Sequence, residues 1–284
     1  MRRLRNAALA AILATAGMAG PPALAAPLGY TGGTVTENFD TLPTNLTNAT
    51  QIGLPKTAFD LNPAINTLTG LTGWQGNNLG LSGGTTVATG TTSEYRSQDG
   101  SLSGSGGRGL ISYGTNDSTE RALGALPTSN QINNFGLVLL NNSSDTYNSF
   151  TLAYTGEQWR RGEPGVTNTM TFAYGVAAPN IDAALSFANP NNQAAPTQVA
   201  LDGNLAINQV AVLGSVGGLN WAPGQTLVLR WAMSEGTGQD NGMGIDNVEF
   251  TAQVVPEPST LVLGAIALVG LIGYRVRRQR RSCR

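Results

Sequence analysis

Between residues 27 and 255 apolar side chains return at every second position, and no stretch shows a long helical period. Phe150, Leu152 and Tyr154 alternate with Thr151 and Ala153, and Met170, Phe172 and Tyr174 with Thr171 and Ala173. Leu227, Leu229, Trp231 and Met233 oppose Val228, Arg230 and Ala232, and Val248, Phe250 and Ala252 repeat the period. A period of two puts each set on one face of a strand, so these segments bury their apolar side only as sheets. Phe135 to Leu140 is apolar throughout, the pattern of a strand covered on both faces. Turn-forming clusters separate the runs: Asn141-Asn142-Ser143-Ser144-Asp145, Arg161-Gly162-Glu163-Pro164-Gly165 and Ala222-Pro223-Gly224-Gln225. Only Ile181 to Leu185 has a weak helical spacing. Many short strands without helices predict an all-β chain, one jelly-roll-like β-sandwich over residues 26–254. The Gly-, Ser- and Thr-rich stretch 76–107 has few apolar groups and predicts long loops.

The chemistry open to this chain is narrow. It has no His, so a Ser–His–Asp triad, a Cys–His pair and a His-ligated metal are excluded. Its one Cys is Cys283, which excludes a disulfide framework, and Lys56 is its one Lys. Nine of the 16 basic residues lie near the two ends, whereas 16 of the 17 acidic residues lie between 27 and 255, against seven basic ones. An acidic middle has the wrong sign for nucleic acid and suits a solvated exterior or one that takes up cations.

Both ends read as sorting devices. Residues 1–25 run from Arg2, Arg3 and Arg5 through an apolar stretch, Ala7 to Ala19, to Gly20-Pro21-Pro22 and then Ala23-Leu24-Ala25. That is the layout of a signal peptide cut by signal peptidase after Ala25, since Pro27 disfavours a cut directly before it. At the other end Val255, Pro256, Glu257, Pro258 and Ser259 precede an apolar run, Leu261 to Tyr274, and then Arg275, Arg277, Arg278, Arg280 and Arg281. Fourteen helical residues rise only about 21 Å against a hydrocarbon core of about 30 Å. A transmembrane helix over 260–276, with Arg275 reaching the interface, comes close to spanning. The basic tail predicts a cytoplasmic C-terminus, with the sandwich outside.

The order of Val-Pro-Glu-Pro-Ser, short apolar helix and Arg-rich end over 255–284 resembles the PEP-CTERM sorting signal. The resemblance implies an exosortase as processing partner and a cut near Pro256-Glu257-Pro258. It also implies a Gram-negative host that makes extracellular polysaccharide, transient anchoring in the inner membrane, and a final place in the envelope, at the surface or in the matrix. A permanent single-span anchor is the other reading of the same residues.

Three segments are candidates for a site. Glu37-Asn38-Phe39-Asp40 and Gly244-Ile245-Asp246-Asn247-Val248-Glu249-Phe250 resemble the first and last strands of secreted jelly rolls such as MAM-type and carbohydrate-binding modules. The resemblance implies neighbouring terminal strands and a structural Ca2+ held by Glu37, Asp40 and Asp246; separately, Asp240 in the Gly-rich loop Ser234 to Gly244, just before Asp246, reads either as a further ligand of that cation site or as a turn residue. Alternatively these are polar strand ends. Glu157-Gln158-Trp159-Arg160-Arg161 admits two readings: a sugar platform of Trp159 with Arg160 and Glu157, or a core Trp with an Arg–Glu pair fixing the strand end. This segment, with Leu219-Asn220-Trp221-Ala222-Pro223-Gly224 and Leu229-Arg230-Trp231, resembles β-sandwiches found before PEP-CTERM signals, a likeness over roughly 130–254 that implies no activity. The expectation is a non-catalytic exported protein that contacts extracellular polysaccharide. The alternative is a glycan hydrolase using a carboxylate pair drawn from residues such as Glu94, Asp99, Asp117 and Glu120.

Overall fold

Leu227, Leu229, Trp231 and Met233 are fully buried along one face of a single strand, as their spacing requires. The computed structural model describes residues 27–42, 44, 52–54, 59–60, 71–76, 93–102, 109–127, 132–176, 180–194, 196, 198–234, 236–254, 268–272 and 274–275. The leader 1–25, the motif 255–259, most of the helix over 260–276 and the Arg tail beyond it lie outside these residues.

The described strands form two sheets, numbered here in chain order. The first runs β12 (Asn180–Ala188), β11 (Thr169–Gly175), β15 (Thr226–Ser234), β9 (Ile132–Asn141), β5 (Trp74–Gly76) and β4 (Phe59–Asp60), with β1 (Leu28–Tyr30) also on β9. The second runs β13 (Val199–Ala200), β10 (Tyr147–Arg161), β16 (Gly242–Val254), β8 (Ala122–Leu126), β7 (Gly109–Tyr113), β6 (Ser93–Gln98) and β3 (Ile52–Leu54). On it β14 (Gln209–Val216) also pairs with β10, and β2 (Thr34–Glu37) with β16. Two pairs are parallel, β1 with β9 and β6 with β7.

The sheets face each other across an aromatic core, which makes the domain an all-β sandwich. The Trp231 ring stacks on Trp74 at 5.7 Å and lies 5.1 Å from Phe172, while Tyr154 of the opposite sheet meets it edge-on at 5.6 Å. Sheet-to-sheet aromatic contacts of this kind add to plain area burial. At Gly136 a Cβ would lie 2.0 Å from the Leu229 carbonyl oxygen, so β9 and β15 approach closely enough to require glycine. The Tyr30 hydroxyl donates to the Gly33 carbonyl at 2.7 Å and accepts from the Ala252 N–H at 2.9 Å, which ties the first strands to the last.

Two expectations are corrected. The stretch 76–107 includes β6, paired in parallel with β7, and not loops alone; residues 77–92 and 103–108 lie outside the described ones. Among the described side chains of β6, Ser97 and Gln98 are buried, and Arg121 Nη2 donates to Ser97 Oγ at 2.8 Å; with Tyr95 its one apolar residue, the strand has no apolar period to read. Ile181 to Leu185 is part of β12. Between the pairs Met170–Phe187 and Phe172–Asp182 the strand bulges, and Asp182 Oδ1 accepts from the N–H groups of Ala184 and Leu185. That local turn, formed as an N-cap would form it, produces a helix-like spacing inside a strand.

Residues 268–272 and 274–275 are helical. Leu268, Val269, Leu271, Ile272 and Tyr274 are exposed there, so these apolar residues are not part of the sandwich core. Among the described residues no helix is long and apolar enough to cross a membrane.

Candidate functional site

The long strands β10 and β16 pair along most of their length, and their register slips between Ala153–Glu249 and Thr155–Asp246. Tyr154 there faces two residues, Asn247 and Val248, which is a β-bulge. Asn247 takes the left-handed conformation, φ 50°, which Asn tolerates better than most residues. The extra residue keeps Val248 in the core and puts Asp246 on the same side as Glu249, away from the first sheet.

On β10 the core residues Phe150, Leu152 and Tyr154 leave Thr151, Ala153, Thr155 and Glu157 on the opposite face by the period of two. Glu157 lies there opposite Gln209 of β14, and only 1% of it is exposed. Trp159 Nε1 donates to its Oε2 at 2.8 Å and Gln209 Nε2 to its Oε1 at 3.1 Å. Glu120 comes from the loop joining β7 to β8, and Asn204 Nδ2 donates to its Oε2. Asp246 is 4% exposed; Asn247 Nδ2 donates to its Oδ2 at 2.7 Å, and its Oδ1 is buried without a hydrogen-bond partner.

These three acids converge. One carboxylate oxygen from each of Glu120, Glu157 and Asp246 lies within 4.8 Å of the other two. Three full charges at that spacing would repel by roughly 3 kcal/mol per pair at an effective dielectric near 20. The acids respond accordingly. Burial, with Asp246 and Glu120 adding to it against the Trp159 hydrogen bond, pushes Glu157 up to about 8. Burial, with the charges of Glu120, Asp40 and Glu37 adding to it against the Asn247 backbone N–H, pushes Asp246 up to about 7. Burial also raises Glu120, against the Asn204 hydrogen bond. Arg121 lies near enough to lower Glu120 somewhat, but its guanidinium donates to Ser112, Thr115 and Ser97.

Of the sequence-based calcium set, Glu37, Asp40 and Asp246 come into one electrostatic neighbourhood. β2 pairs with β16, Glu37 opposite Val248. Past β2 the chain turns through Phe39, which is buried at φ 56°, and Glu37 Oε1 accepts the Phe39 N–H at 2.9 Å. Asp240 is placed elsewhere: its Oδ1 accepts from Asn168 Nδ2 at 2.7 Å and from the Gly236 N–H at 2.9 Å, inside a buried amide network. Glu120 and Glu157 take its place beside Asp246. The sequence carries no signal for either as a cation ligand, because their nearness depends on a hairpin loop meeting a strand distant in sequence.

Of the two readings of Glu157 to Arg161, the sugar platform of Trp159, Arg160 and Glu157 is corrected. Trp159 has no exposed surface, and its ring stacks on Tyr113 with centroids 6.0 Å apart. Gly203 covers it, since a Cβ there would lie 2.3 Å from the ring. Arg160 is 2% exposed and donates from Nη1 to the Gly100 carbonyl at 3.0 Å. No face is left for a pyranose ring, and Glu157 serves Trp159 and the acid cluster instead. A shallow cleft of about 300 Å3 lined by Thr36, Glu37, Asn38, Asn247, Val248 and Glu249 opens beside the cluster.

Comparison with known proteins identifies one segment. Residues 254–281 match the PEP-CTERM protein-sorting motif, which marks an exported, envelope-directed chain. The match begins where β16 ends, at Val254. No curated protein matches the chain. Among solved structures, the carbohydrate-binding module TmCBM61 in complex with β-1,4-galactotriose aligns at 7% identity and a TM-score of 0.27, over 47% of this chain and 72% of that one. The isomalto-dextranase of Arthrobacter globiformis T6 complexed with panose aligns at 14% identity and a TM-score of 0.29, over 79% of this chain and 33% of that one. At these scores neither structure bears on what this chain binds.

Proposed function

We propose that the chain is exported, held briefly in the inner membrane by the apolar segment over 260–276, processed by an exosortase near Pro256-Glu257-Pro258, and left at the surface or in the extracellular matrix. There the sandwich is a non-catalytic module that contacts polysaccharide. The observation behind this reading is the sorting motif beginning at the residue where the last strand ends. The exposure of Leu268, Val269, Leu271, Ile272 and Tyr274 supports it, because a segment destined for a bilayer has no place in the sandwich core. The non-catalytic role is supported by the burial of Glu157 and Asp246, which a sugar ring cannot approach as it would a hydrolase carboxylate pair. All four Trp residues are buried, so polysaccharide contact falls to Asn, Ser and Thr hydroxyls and amides on the surface and not to a Trp platform.

Removing residues 255–284 tests the sorting role. The expected result is loss of the protein from the envelope and matrix and its accumulation in a soluble exported pool. Unchanged fractionation overturns the reading. Binding of the protein to extracellular polysaccharide tests the second part, and no retention on any polysaccharide column leaves an inert matrix protein.

A further inference from the structure

We propose that Glu120, Glu157 and Asp246 hold a single divalent cation, Ca2+, that pins the β7–β8 loop and the segment beside Asn204 against the bulge between β10 and β16.

The spacing fits the ion. Oxygens that share one Ca2+ lie at most about 4.6 to 5.2 Å apart, twice the Ca–O distance, and here one oxygen from each acid falls within 4.8 Å of the others. Asp246 Oδ1 is the second observation. It is buried, has no donor, and belongs to a residue that the bulge and the Asn247 hydrogen bond aim into the cluster. A buried carboxylate oxygen without a partner is costly, and a cation at the cluster would supply the missing partner. The hydrogen bonds that orient the three carboxylates come from neutral N–H groups of Trp159, Gln209, Asn204 and Asn247, so each carboxylate keeps lone pairs free for a metal.

The donor set selects the metal class. It is all carboxylate, the chain has no His, and its one Cys is Cys283. Hard oxygens take Ca2+ or Mg2+ in preference to zinc or copper. A largely enclosed cluster of protein carboxylates suits Ca2+, since Mg2+ demands a smaller octahedron and tends to keep its waters. Glu37 and Asp40 lie near enough to raise Asp246 and deepen the negative potential at the site. The acids come from segments distant in sequence, so the ion would act as a cross-link at the seam where the last strand meets the rest of its sheet.

The test uses the full chain in detergent, stripped with EDTA and titrated with Tb3+ under tryptophan excitation. Trp159 donates to Glu157 at 2.8 Å and would sensitise an ion held there. The expected result is saturable emission at one ion per chain, displaced by Ca2+ at concentrations at least tenfold below those of Mg2+, and a Ca2+-dependent rise in melting temperature of several degrees. Asp246→Asn and the more accessible Glu120→Gln should each weaken binding tenfold or more and abolish the Ca2+-dependent rise. In EDTA both should melt no lower than the parent, because each removes one repelling charge. Asp145→Asn, in the turn after β9, should bind like the parent. The proposal is overturned by absence of saturable emission, by a melt indifferent to Ca2+, or by folded Asp246→Asn and Glu120→Gln variants that bind as the parent does. Equal loss in Asp145→Asn also overturns it, by showing diffuse attraction to an acidic surface.

Discussion

Asn247, in a left-handed conformation at φ 50°, donates from Nδ2 to Asp246 Oδ2 at 2.7 Å. One residue thus forms the bulge in β16 and holds the side chain that the bulge redirects. Gly can adopt the same backbone but cannot make the hydrogen bond, and Val can do neither. Asn247→Gly should therefore lose about 1 kcal/mol, the usual worth of one hydrogen bond. Asn247→Val should lose roughly 2 kcal/mol or more, since a β-branched residue resists positive φ. Denaturant unfolding of the two variants checks the order. Equal losses would mean that the bulge does not depend on the left-handed residue.

The raised acids set a pH dependence for the protein held free of divalent ions. Glu157 and Asp246, at about 8 and about 7, keep protons in the folded state that the unfolded chain releases near 4. Groups raised on folding contribute stability that is present below their unfolded values and is lost as pH climbs through the folded ones. Melting temperature in EDTA should therefore fall by several degrees between pH 5.5 and pH 8.5. Glu157→Gln should flatten that slope. A melt that rises over the same window contradicts the burial of these carboxylates.

Gly136→Ala introduces a Cβ 2.0 Å from the Leu229 carbonyl oxygen and 3.0 Å from the Arg230 Cα. Backbone atoms cannot swing aside, so β9 and β15 must part at the centre of their ladder. A loss of about 2–3 kcal/mol is expected. The comparison is Gly217→Ala, where nothing lies within 4 Å of the new Cβ and the change should be within about 0.5 kcal/mol. Thermal melts of both variants decide it.

Trp159→Phe keeps a ring near Tyr113 and removes the donor to Glu157. It should destabilise by roughly 1–3 kcal/mol, through a partly filled pocket and a carboxylate oxygen left without its partner. Its affinity for polysaccharide should match the parent's, because the parent ring has no exposed surface. Loss of polysaccharide binding in a folded Trp159→Phe variant would show that this ring does reach the ligand.

Alternation at 150–154, 170–174, 227–233 and 248–252 announced the strands because the large apolar side chains of each fall on one face, a pattern local to a few residues. It failed where polar side chains are themselves interior. From Gly156 to Arg161 every residue of β10 is buried, so no alternation there separates a sugar-facing Trp159 from a core one. It failed again at β6, where Ser97 and Gln98 are interior, and at β12, where Asp182 folds a turn into a strand.

What the sequence determined by itself is what depends on contiguous residues: the strand period, the turns between strands, and a sorting motif whose prolines, apolar run and arginines follow one another in order. The acid cluster depended on tertiary structure. Glu120, Glu157 and Asp246 are separated by tens of residues, and only the pairing of β10 with β16, slipped by one residue at Asn247, brings their carboxylates within 4.8 Å. A periodic pattern states which face a side chain takes, whereas strand order and register decide which side chains meet there.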